Sequence, residues 1–124
     1  MHPGFIAAGL TNIVGILLFS RGFSNPLLGQ LFPGLFGNWG LVCIMLWGLA
    51  YLAVAREYRQ VPRLVAVFAL EKAVYVASWL WWLAHHDLAP VWSQDPLTGL
   101  FFALYGLIDL SFGIFFWRMC RSER

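Results

Sequence analysis

Three ionisable residues sit inside otherwise apolar stretches: Glu71 and Lys72 in the run FALEKAVYV, and Asp109 in YGLIDLSFG. A charged side chain at the centre of a membrane-spanning helix costs about 2.5–3.5 kcal/mol on insertion scales, so each of the three needs a partner or a cavity. Two carboxyls and one ammonium form one ion pair, and we expect it between Lys72 and Asp109. Glu71 is then expected to hold a proton at neutral pH, the condition that a proton-coupled carrier or a membrane-embedded acid–base catalyst requires. Adjacent residues on a helix point about 100° apart, so Glu71 and Lys72 address different neighbours. The Glu71 face continues through Tyr75, Ser78 and Trp82, a strip suited to lining a route, and Tyr105, one turn before Asp109, can add its hydroxyl. The competing reading of the same residues is a satisfied internal clamp that fixes helix register and turns nothing over.

Other chemistry-bearing residues give weaker signals. His85-His86-Asp87, with Asp95 nearby in sequence, offers imidazole and carboxylate, but the spacing is that of no defined metal motif. Histidines at a helix end serve more simply as polar caps favoured by the helix dipole, so no metal and no cofactor is expected. Cys43 and Cys120 fall in opposite halves of the spans proposed below and are not expected to pair.

The elements that must position these groups follow from composition. The chain is 60% hydrophobic and only 11% charged, with a mean hydropathy of +0.71. An ordinary soluble domain carries about 25% charged residues. We therefore expect an all-α integral membrane protein: a single domain forming a four-helix transmembrane bundle in up-down-up-down order. The spans are expected at about 4–20, 38–55, 63–84 and 97–118, bounded by Arg21-Gly22, by Arg56 to Pro62, by His85-His86-Asp87 and by Asp95-Pro96. Residues Met1 to Gly4 carry no Lys or Arg ahead of the first apolar run, which is expected to stay as a span rather than be cleaved. Residues 26–36 space Leu27, Leu28, Leu31, Phe32 and Leu35 at nearly helical intervals and suggest a short interfacial helix, either a lid or an apolar loop on headgroups.

Orientation follows from the positive charges. Arg56, Arg59 and Arg63 lie between spans two and three, and Arg118, Arg121 and Arg124 follow span four, which places both termini on the cytoplasmic side. In that frame Glu71 is eight residues past Arg63 and Asp109 nine before Arg118; at 1.5 Å per residue both are about 12–14 Å deep. Asn12, eight residues past Gly4, falls at the same depth, so Asn12, Glu71, Lys72 and Asp109 are expected to form one intramembrane polar network. Trp39, Trp79, Trp81, Trp82 and Trp92 suit an outer aromatic belt, Tyr58 and Trp117 an inner one. Small residues Gly4, Ala8, Thr11 and Gly15 in span one, and Gly99, Ala103, Gly106 and Gly113 in span four, would let helices approach closely.

The net charge of +2 comes from arginines at helix ends, not from a basic run, which excludes nucleic acid as an expected partner. The expected surroundings are the lipid bilayer of a bacterial-type inner (plasma) membrane, with a partner membrane protein or a second copy. Three functions remain open. The first is an accessory or assembly subunit whose polar layer is structural or binds a partner. The second is a proton-coupled carrier of a small or lipophilic solute, with Glu71 as the protonatable group. The third, least favoured, is an enzyme acting on a lipid-soluble substrate.

Overall fold

The computed structural model describes residues 1–122, which are helical over most of their length and contain no strand. All six prolines stand in the first turn of a helix: Pro3, Pro26, Pro33, Pro62, Pro90 and Pro96. There the missing N–H leaves no intrahelical bond unmade and the fixed φ is already helical. Proline thus sets where nearly every element starts. The helices are α1 (Pro3–Phe19), α2 (Pro26–Leu31), α3 (Pro33–Phe36), α4 (Asn38–Val54), α5 (Pro62–His85), α6 (Ala89–Gln94) and α7 (Pro96–Ser122), with one 3-10 turn at Tyr58–Gln60.

The chain divides into two compact units, Met1–Glu57 and Tyr58–Arg124. In the first, α1 and α4 run antiparallel: the His2 N–H donates to the Ala55 carbonyl at 2.9 Å at one end, and the Asn12 amide donates to the Ile44 carbonyl at 3.0 Å further along. Between these points the two backbones nearly touch. A Cβ added at Gly9 would lie 2.7 Å from the Gly48 carbonyl oxygen, and one at Gly48 would lie 2.8 Å from that of Gly9. Two glycines, one on each helix, make this approach, whereas Gly15 faces open space. Gly48→Val is therefore expected to push α1 from α4 and break the Asn12–Ile44 bond, costing about 1–3 kcal/mol, while Gly15→Ala leaves the solubilised protein's thermal unfolding unchanged or slightly raised.

The segment after α1 turns through Arg21, Gly22 and Phe23, all at positive φ (49°, 66° and 69°). The turn is held by the Phe23 N–H donating to Ser20 Oγ at 3.0 Å and by the Asn25 amide donating to the Phe19 carbonyl at 2.9 Å. The single interfacial helix expected over 26–36 is instead two short ones, α2 and α3. Pro33 offers no N–H to continue α2, and Phe32, at φ −146°, leaves the helical region just before it. Leu28 and Phe36 are buried.

In the second unit α5 and α7 also run antiparallel and make up most of the packing, with α6 folded onto α7. Helix α6 lies in a stretch that the sequence suggested only as a connection. Phe68 meets Phe116 with ring centroids 5.4 Å apart, and Trp82 lies flat on Phe102 at 4.4 Å. Both helices are long and apolar enough to cross a membrane, at 24 residues for α5 and 27 for α7. Helices α1 and α4 are apolar but shorter, 17 residues each.

Candidate functional site

The site is built on α5 and α7. Lys72 Nζ donates to Asp109 Oδ1 at 3.0 Å, the pairing expected from the sequence. The lysine is 2% exposed and the aspartate 15%, so the pair is almost entirely removed from its surroundings. It forms because antiparallel packing brings the middle of α5 level with the middle of α7. Gly113, one turn after Asp109, leaves the lysine stem room: a Cβ there would come within 3.2 Å of Lys72 Cβ.

Moving from this pair toward the α5 C-terminus, Ser78 Oγ donates to the Tyr75 carbonyl at 2.6 Å and shares a hydrogen bond with the Tyr105 hydroxyl at 3.1 Å. Trp79 Nε1 donates to the Phe102 carbonyl at 2.7 Å. Its indole occupies the space left by Gly106, where a Cβ would overlap the ring atoms Cγ, Cδ2 and Cε3. Trp79 is thus a packing wedge in the helix pair rather than a belt residue. Trp82 has no exposed surface, being stacked between Phe102 and His86, the latter at 5.0 Å and 8°. Trp39 and Trp81, by contrast, are more than half exposed, at 84% and 52%.

The other expected members are placed as follows. Glu71 is buried on α5, on a different face from Lys72. Asn12 belongs to the first unit, where its amide serves the Ile44 carbonyl. The His85 and His86 Nδ1 atoms lie 2.8 Å from the Trp81 carbonyl and 3.3 Å from that of Trp82. A carbonyl can only accept, so Nδ1 carries the hydrogen in both rings, and the two imidazoles cap the last turn of α5. Asp87 is exposed just beyond it, and Asp95 accepts from Thr98 Oγ1 at 2.7 Å at the start of α7. Among the described residues no group of three or more His, Cys, Asp or Glu side chains is arranged to hold a metal ion. Cys120 is buried, with Sγ donating to the Trp117 carbonyl at 3.2 Å, and Cys43 is exposed.

One feature was missed by sequence reasoning. A groove of 540 Å³ runs between α5 and α7, walled by Ala66, Ala69, Ala73 and Ala77 on one side and by Leu110, Gly113, Ile114 and Trp117 on the other, with Lys72 and Asp109 at its floor. The signal that could have found it is the four-residue spacing Ala69-x-x-x-Ala73-x-x-x-Ala77, which lines small side chains along one helix face. Chemically the site is an apolar groove with one ion pair, Lys72–Asp109, beneath it. No family model, no curated protein and no solved structure matches the chain.

Proposed function

We propose that the protein crosses a bacterial-type inner membrane four times, as two antiparallel helical hairpins forming an up-down-up-down bundle with both termini cytoplasmic, and that it acts as an accessory or assembly subunit rather than as an enzyme. Support for the four spans comes from the length and apolarity of α5 and α7 and from the apolar character of α1 and α4. At 1.5 Å per residue, 17 residues rise about 26 Å, slightly less than a hydrocarbon core of about 30 Å. Large apolar side chains point outward in both units, Leu18 and Leu46 in the first and Leu70 and Val74 in the second. Arginines at positions 56, 59, 63, 118 and 121 support a cytoplasmic location for the ends that carry them.

The observation that carries the functional reading is the closed Lys72–Asp109 pair. Charge that is already neutralised within a helix pair works as a clamp, holding α5 and α7 in register so that the unit presents a fixed surface to a partner membrane protein or a second copy in the plane of the bilayer. A second reading, the proton-coupled carrier, draws on the Ser78–Tyr105 hydroxyl pair, with Tyr105 one turn before Asp109 on α7, and on the buried Glu71.

The two are separated in proteoliposomes under a pH gradient. Wild type and Glu71→Gln are expected to show the same background proton and solute flux. A pH-dependent flux in wild type that a well-folded Glu71→Gln variant lacks would replace the subunit reading with the carrier.

A further inference from the structure

We propose that the groove between α5 and α7 seats one acyl chain of an anionic phospholipid, whose phosphate is held by Arg118 and Arg121 with Arg63 opposite them. The inference goes beyond the subunit reading but rests on α5 and α7 crossing a membrane. Its first element is the groove itself. At 540 Å³ it has the volume of an ordinary ligand pocket, and its walls offer methyl groups and leucine side chains to a chain lying along it. Its single polar feature, the Lys72–Asp109 pair, is mutually neutralised and presents almost no surface, so a hydrocarbon laid over it meets no open charge.

The second element is charge at one end only. On α7 the groove-lining residues Ile114 and Trp117 are each followed, one turn later, by an arginine on the same face: Arg118 and Arg121. The Arg121 guanidinium lies 5.6 Å above the Trp117 ring, so its position over the groove wall is observed directly. On α5 the lining begins at Ala66, and Arg63 precedes it by three residues, again on one face. Antiparallel packing puts the start of α5 beside the end of α7, so the three cations flank one mouth of the groove. The opposite end, toward Leu80, carries no such cluster. An amphiphile with an apolar tail and an anionic head matches this polarity. A transmembrane helix would fill the apolar walls but, unless it carried acidic residues at that level, would make no use of the three cations. In the proposed orientation the mouth lies at the cytoplasmic headgroup level, where basic residues between helices meet anionic lipids.

The test uses the full chain in detergent with two lipids of identical acyl chains, dioleoylphosphatidylglycerol and dioleoylphosphatidylcholine, read by native mass spectrometry. We expect one phosphatidylglycerol retained per chain in preference to phosphatidylcholine. Arg118→Gln and Arg121→Gln should each weaken retention about fivefold, as for a basic residue removed from an anionic surface. Ala73→Leu, a groove-filling change at an exposed position, should abolish retention although all the arginines remain. Equal retention of both lipids overturns the proposal, as does full retention by folded Ala73→Leu, which would mean headgroup attraction without a chain seat. A lipid-free dimer that Ala73→Leu disrupts also overturns it, because a second copy then fills the groove. Alkaline carbonate extraction separates this failure from that of the membrane reading: release of wild type from membranes sinks the spans, whereas retention in the membrane without bound lipid sinks the lipid site alone.

Discussion

Asp109→Leu is expected to be the most damaging single substitution in the chain, destabilising it by about 3–5 kcal/mol, because it leaves the Lys72 ammonium buried without its counter-charge. The lysine is 2% exposed and its stem is enclosed beside Gly113, so it cannot turn its charge outward without unpacking α5 from α7. A loss of that size is a large share of the roughly 5–15 kcal/mol that holds most folded proteins together. The double variant Lys72→Met with Asp109→Leu should recover most of it, since replacing a buried pair by apolar side chains of similar volume is often neutral. Thermal unfolding in detergent, arranged as a double-mutant cycle, checks both statements. If Asp109→Leu alone unfolds like wild type, the pair is not a clamp and the subunit reading loses its basis.

Gly106→Ala is expected to follow closely, at about 1.5–4.5 kcal/mol, from overpacking of about 1–3 kcal/mol and a lost hydrogen bond of about 0.5–1.5 kcal/mol. A methyl at this position would occupy the space of the Trp79 ring, and the ring is anchored by its 2.7 Å bond to the Phe102 carbonyl, so it cannot slide aside and keep that bond. Displacing it also removes its edge contact with Tyr105, at 6.5 Å between centroids. Trp79→Leu should cost less by itself and should relieve Gly106→Ala when the two are combined. Unfolding temperatures of the two single variants and the double variant measure that coupling; strictly additive losses would mean that the indole does not sit in the glycine notch.

The sequence by itself determined the helical class, the approximate positions of the four long helices, and three of the buried polar residues, Asn12, Glu71 and Lys72, but not Ser20, Asn25 or Thr98. It could do so because charged and amide side chains carry a large cost in apolar surroundings, so that Glu71, Lys72 and Asp109 announce an interior wherever they occur in a hydrophobic run. Proline positions announced where helices begin, for the equally local reason that a missing N–H is tolerated only in the first turn. The tertiary structure alone decided which apolar residues face inward. On α5, Leu70 and Val74 are largely exposed while Val65 and Phe68 are buried, and nothing in their side-chain types separates them. In the proposed bilayer setting the outer medium would be as apolar as the interior, and hydrophobicity would mark no face. For the same reason the aromatic belt inferred from sequence mixed a wedge, Trp79, and a buried stacking ring, Trp82, with exposed Trp39 and Trp81. The close approach of α1 to α4 at Gly9 and Gly48, rather than at Gly15, and the alanine-walled groove depend on which small residues two helices bring opposite each other. That choice is made by the helix crossing, which is a property of packed pairs and not of either helix alone.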